Sequence, residues 1–277
     1  MISENKQMKQ EYSLAQLTAI NASPPELARI AAKTGYDYFS MRQIYLGLPE
    51  EPDFDLAKNK PLMQETKSVM AETGIRLLDV ELARVVDGVD PATYEPAFAT
   101  CAELGGKRVL SSIWTDDEAV QLESFSRICD LAFQYGLTVE LEYVPIAAVR
   151  NLAGVLNILE QVNRPNAGIL IDIHHFHRAG DTIEELSKVP RELFRMVHLC
   201  DAPVEIPKDF DEMRRIMRDA RDYPGEGGID IKSILSAIPF VPYSIELPKT
   251  SVSNQYGYEV HAKQCIERSQ AYFQMVD

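Results

Sequence analysis

The chain has 277 residues, of which 28 are Lys or Arg and 42 are Asp or Glu, for a formal net charge of −14. With 45% hydrophobic and 25% charged residues, it has the composition of a folded globular protein, which excludes a disordered, collagenous or membrane-embedded chain. The acidic balance argues against a phosphate backbone as ligand, which needs a basic face, so no nucleic-acid partner is expected.

Residues 1–12 (MISENKQMKQEY) are polar and read as an N-terminal tail, leaving 13–277 as one folded unit. The start of the chain carries no apolar block, and no segment approaches the roughly 18 apolar residues of a membrane span, so no secretory signal and no membrane partner are expected. The four cysteines (Cys101, Cys129, Cys200 and Cys265) are scattered without a C-x-x-C pair, which reads as reduced thiols in a cytoplasmic protein.

In chain order, short apolar runs fall at 14–20, 36–42, 75–82, 107–113, 137–143, 168–173, 194–200 and 241–247, each followed by a helical stretch. Helices start at signals such as Ser23-Pro24-Pro25-Glu26, Asp90-Pro91 and Asp181-Thr182. Several stop at glycine before the next strand, as at Gly35, Gly74, Gly105-Gly106 and Gly136. Eight such units predict an α/β fold, a (β/α)8 TIM barrel in a single domain. A doubly wound open sheet would carry a glycine-rich turn after its first strand, and 20–25 contains no glycine. The long segment 202–229 includes a charged helical run, 208–221, that reads as a solvated helix face and predicts a cover over one barrel end. A last helix, over about 254–275, is expected to pack on the barrel; a homodimer is expected by analogy only.

Side chains alternate across a strand, so residues two apart share a face. Val139 and Leu141 then oppose Glu140 and Glu142, Ile169 and Ile171 oppose Leu170 and Asp172, Val197 and Leu199 oppose Met196, His198 and Cys200, and Ile245 opposes Ser244 and Glu246. Asp79 and Glu81, and Ser40 with Arg42, repeat the pattern on earlier strands. With the apolar set facing the helices, Glu142, Asp172, His198 and Glu246 converge where barrel active sites lie, at the strand C-termini. Burying three carboxylates together needs a compensating cation, and this oxygen-rich set suits Mn2+ or Mg2+, with Co2+ or Zn2+ as further choices. The alternative is a salt network with Arg42, Arg178 and Lys249. After strand six, His174-His175-Phe176-His177 gathers three of the five histidines. His175 is placed to reach a substrate, and His174 and His177 read as supporting groups.

The chain resembles the xylose-isomerase-like barrel superfamily of sugar phosphate isomerases and epimerases from about residue 13 onward. The resemblance rests on Leu141-Glu142-Tyr143 with Pro145, on Asp172 to His175 followed by Arg178 and Gly180, on Val197 to Pro203, on Pro224-Gly225-Glu226-Gly227, and on Ile245-Glu246. It implies that Glu142, Asp172, His198 and Glu246 bind one divalent ion, Mn2+ favoured, and that His175 contacts the substrate. Two branches fit less well: the endonucleases use a histidine-rich three-metal site, and ketose 3-epimerases carry an acid and then an arginine after the strand-seven histidine, where this chain has Asp201-Ala202-Pro203.

The expected activity is isomerisation or epimerisation of a small sugar, polyol ketone or sugar phosphate by proton abstraction beside a carbonyl, through a metal-stabilised enediolate. Glu142 and Glu246 are the expected base and acid, with His175 donating to the oxyanion. Arg42, Glu81, Trp114, Arg178 and Asp201 complete the expected substrate contacts. A dehydratase of the inosose or dehydroshikimate type uses the same machinery and stays open, as do an abasic-site hydrolase and a non-catalytic sugar-binding barrel.

Overall fold

A computed structural model describes residues 9–48 and 51–276; residues 1–8 of the expected tail lie outside the described residues. Eight parallel strands close on themselves in sequential order. They are Tyr12–Ala15 (β1), Tyr38–Arg42 (β2), Arg76–Val85 (β3), Arg108–Ile113 (β4), Thr138–Glu142 (β5), Ala167–Asp172 (β6), Phe194–Leu199 (β7) and Tyr243–Ile245 (β8). Closure is made by β1, where Leu14 stands opposite Phe39 of β2 and Ile245 of β8. The helices around this barrel are Pro24–Thr34 (α1), Lys60–Thr73 (α2), Glu95–Glu103 (α3), Glu118–Gln134 (α4), Leu152–Val162 (α5), Ile173–Ala179 (α6), Ile183–Leu186 (α7), Phe210–Asp219 (α8), Ile231–Ser236 (α9), Thr250–Tyr256 (α10) and Tyr258–Val276 (α11).

The period-two alternation builds two separate cores. Leu14, Phe39, Val109, Val139, Leu141, Ile169, Ile171, Val197, Leu199 and Ile245 point outward and pack with the helices in one continuous cluster. Leu78, Leu82, Leu110, Leu170 and Met196 form a small second cluster. Among the polar partners of this alternation, Glu142 and Asp172 end their strands and His198 is the last residue but one of β7, all three buried.

Several boundaries differ from the sequence reading. The first strand ends at Ala15 instead of running to 20, because the Gln16 amide donates to the carbonyls of Ala19, Ile20 and Ala22 and ties 16–22 into a turn. β3 runs on to Val85, three residues past its expected end. Its ladder to β4 shifts register between Val80 and Ala83. The expected last helix is two, separated at Gly257, whose φ of 82° suits glycine. The charged run folds as α8, capped by the Asp209 carboxylate on the Glu212 amide. It supplies Phe210, Arg214, Met217 and Arg218 to the wall of the cavity at the barrel mouth.

Candidate active site

The four expected donors meet. One ligand atom from each of Glu142, Asp172, His198 and Glu246 lies within 4.8 Å of all the others, and all four side chains are buried. His198 Nδ1 is the hub, 3.1 Å from Glu142 Oε1, 3.5 Å from Glu246 Oε2 and 3.9 Å from Asp172 Oδ2. Asp172 also caps α6, its Oδ1 accepting from the His175 amide at 3.1 Å, so Oδ2 is left to face the cluster. His175 Nε2 stands 3.9 Å from that Oδ2.

A buried cation already stands in this cluster. Arg221, among the largest fully buried side chains, reaches Asp172 Oδ2 at 2.6 Å and Glu246 Oε2 at 3.0 Å. Its remaining donors go to the carbonyls of Glu246 and Met217 and to Cys200 Sγ. Burial alone would raise the two carboxyls, but Arg221 and the imidazoles overcome it: Asp172 is held below its ordinary range and Glu246 well below. Burial pushes His198 down, yet the charge of Glu246 and the hydrogen bonds to Glu142 and Glu246 lift it well above the usual imidazole value.

Three carboxylates against one permanent guanidinium leave two formal negative charges when His198 is neutral. That charge, and a donor set of three carboxylates and an imidazole nitrogen within reach of a common point, fit a divalent ion. The expected alternative partners are engaged elsewhere. Arg42 pairs with Glu51 at 2.7 Å and Glu81 at 3.4 Å, Lys249 pairs with Asp222 at 2.7 Å, and Arg178 donates to the Pro203 carbonyl at 2.9 Å.

A family model described as "Xylose isomerase-like TIM barrel" matches residues 28–267. The chain belongs to this family.

Among its relatives is an inosose isomerase of Bacillus licheniformis, 27% identical over 186 residues; the match spans 62% of this chain and 63% of that protein's length. An L-ribulose 3-epimerase of a Methylomonas species is 23% identical over 250 residues, covering 81% of this chain and 77% of the relative. A crystal structure described as IOLI protein with a binding zinc atom superposes with a TM-score of 0.76 at 23% identity, covering 95% of this chain and 96% of the other. In this xylose isomerase-like barrel the donors open onto a cavity of about 330 Å³, within the size range of small-ligand sites. Glu142, Glu246, His175, Arg42 and Trp114 line it.

Three expected substrate contacts, Asp201, Arg178 and Glu81, are not on the cavity wall. The Asp201 carboxylate accepts from the backbone N–H groups of Ala202, Gly225, Gly227 and Ile229, so it ties the 225–229 loop to the end of β7. A Cβ at Gly227 would lie 2.3 Å from the Ala202 carbonyl oxygen and from Asp201 Oδ1, so this closeness requires glycine. Arg178 meets the Pro203 carbonyl and His177 Nδ1, and is not on the cavity wall. Glu81 stands behind Arg42, fully buried, with burial first and neighbouring acids next pushing its carboxyl up to about 8 against the pull of Arg42. His174 is buried with Nδ1 3.2 Å from His175 Nδ1, a supporting position for the His175 ring.

The sequence reading missed Arg221, Arg84, Arg214, Arg218 and Phe210, all on the cavity wall. Arg221 was hidden in a charged run read as solvated; the bridges Ala220 to Lys249 and Asp201 to Asp222 turn its backbone into the barrel mouth.

Proposed function

We propose that this protein is a divalent-metal-dependent isomerase or epimerase of a small sugar, polyol ketone or sugar phosphate. The observation that carries this reading is the convergence of Glu142, Asp172, His198 and Glu246 within 4.8 Å beside a cavity of about 330 Å³. A divalent cation held by these four residues, Mn2+ favoured with Mg2+, Co2+ or Zn2+ as alternatives, would polarise the substrate carbonyl and offset negative charge on its oxygen.

The chain's own groups supply the proton chemistry. Glu246, kept ionised by His198 and Arg221, takes the proton from the carbon next to the carbonyl. Glu142, on β5 across the cavity from β8, enters the step protonated and gives its proton to the opposite face of the same carbon for epimerisation, or to the former carbonyl carbon for isomerisation, in which case the hydroxyl proton of the first carbon passes to the former carbonyl oxygen. His175 donates a hydrogen bond to the oxygen that gains charge. Arg42, held by Glu51 and Glu81, orients a hydroxyl, and the Trp114 ring walls the sugar face. Trp114 is itself fixed, its Nε1 donating to Ser112 Oγ at 2.9 Å. A cavity of this volume, roofed by α8, suits a small molecule and not a DNA duplex. The cysteines are free and buried, which supports a reducing cytoplasmic setting. Among the described residues no helix is long and apolar enough to cross a membrane.

The test is α-proton exchange in D2O with Mn2+-loaded protein across inososes, ketoses and keto acids. Exchange with an isomeric product, lost in Glu142→Gln and Glu246→Gln, is the expected result. Loss of water from the product assigns a dehydratase instead, and absence of exchange across the panel overturns the reading.

A further inference from the structure

Five arginines line the cavity: Arg42, Arg84, Arg214, Arg218 and Arg221, against two acidic residues, Glu142 and Glu246. Four of the five have partners. Arg42 and Arg218 converge on a single Glu51 oxygen at 2.7 and 2.5 Å, Arg221 meets Asp172 and Glu246, and Arg214 meets Asp211 at 3.0 Å. Arg84 has no carboxylate within ion-pair distance among the described residues, and its Nε is buried without a hydrogen-bond partner.

Arg84 is nevertheless fixed in place. Its guanidinium carbon lies 4.0 Å over the Trp114 ring, and the Tyr94 hydroxyl holds its carbonyl at 2.6 Å. It stands on the cavity wall and also on that of a neighbouring groove of about 730 Å³. A partly buried guanidinium without a counterion is an unfavourable arrangement unless an anion completes it. Burial, followed by repulsion from Arg42 and Arg218, lowers its pKa, which is the response of a cation lacking compensation.

We propose that the substrate is a hydroxylated ketone carrying an anionic substituent, carboxylate or phosphate, that pairs with Arg84 while the ketone end lies toward Glu142 and Glu246. This rests on the proton-transfer reading above and specifies its substrate class. Arg42 and Arg218 add positive potential beside Arg84, while Glu51 keeps them from forming an equally open site.

The experiment uses the full chain loaded with Mn2+ and three ketones of one carbon skeleton: neutral, terminally phosphorylated and terminally oxidised to the acid. Proton exchange in D2O gives kcat and KM for each, and calorimetry measures binding of inorganic phosphate and of gluconate. One anionic ketone is expected to exceed the neutral one in kcat/KM by about 10- to 100-fold, mostly through KM. Arg84→Gln should erase that ratio, and Arg84→Lys should restore part of it. Preference for the phosphate or for the acid identifies the substituent. Equal or better turnover of the neutral ketone, with the ratio unmoved in Arg84→Gln, overturns this proposal and leaves the proton-transfer reading standing. Exchange of no ketone, with anion binding that Arg84→Gln abolishes, overturns the enzymatic reading but keeps the anion site; neither exchange nor anion binding overturns both.

Discussion

Replacing Arg221 by methionine removes the permanent cation from the acidic cluster while keeping comparable bulk. In the metal-free protein, Arg221 and a protonated His198 face the carboxylates of Glu142, Asp172 and Glu246. Without Arg221 only the imidazolium remains against the same three acids, at positions that are 5% to 6% exposed for the glutamates and 1% for Asp172. Breaking one side of a buried pair leaves an uncompensated charge and destabilises by about 3–5 kcal/mol. The carbonyls of Glu246 and Met217 also lose their donor, which adds to the loss. Urea unfolding of parent and Arg221→Met, each with chelator and then with Mn2+, measures this directly. The metal-free gap should be about 3–5 kcal/mol and should narrow with Mn2+, because a dication does the most for the more negative site. A metal-free gap below about 1 kcal/mol, or one that Mn2+ leaves unchanged, refutes the charge-compensation argument.

Other substitutions test separate parts of the account. The Glu81 carboxyl is raised from its ordinary 4.5 to about 8, so its contribution to stability is present below about pH 4.5 and lost as pH rises through about 8; Glu81→Gln should flatten this slope and exceed the parent above pH 8, and an unchanged slope contradicts the buried, protonated acid. His198 is held protonated without metal, so Mn2+ binding should expel a proton and tighten about tenfold per pH unit below the raised pKa. Calorimetry in buffers of different ionisation enthalpy counts that proton, and finding none contradicts the assignment of His198 as a ligand. Asp201→Ala strips the acceptor from four backbone N–H groups and should cost about 2–4 kcal/mol while leaving KM for the ketone unchanged; a KM rise without lost stability would return Asp201 to the substrate site.

The barrel was legible because its determinants are local and periodic. Apolar and polar positions alternate along β5 to β8, and a buried carboxylate at the end of such a strand has few places to point but into the barrel mouth. That pattern exposed Glu142, Asp172, His198 and Glu246 in sequence. It failed where contacts across the chain decide the outcome. The turn at 16–22 depends on the Gln16 side chain, which carries no strand or turn signature of its own. Arg221 sits in a run of charges suited to a solvated helix, and only its return against Asp201 and Lys249 buries it. Asp201 and Arg178 lie beside site residues in sequence, yet their side chains satisfy loop amides and a carbonyl. Arg84 reaches the cavity because β3 continues beyond the apolar run that marks it.

The central claim is that one divalent ion is shared by β5, β6, β7 and the residue following β8. Anomalous diffraction from crystals of the full chain soaked in Mn2+ tests it directly. The account predicts a single peak about 2.0–2.4 Å from oxygens of Glu142, Asp172 and Glu246 and from His198 Nδ1. A map with no peak among these four side chains, or with manganese bound only at surface carboxylates, would contradict it.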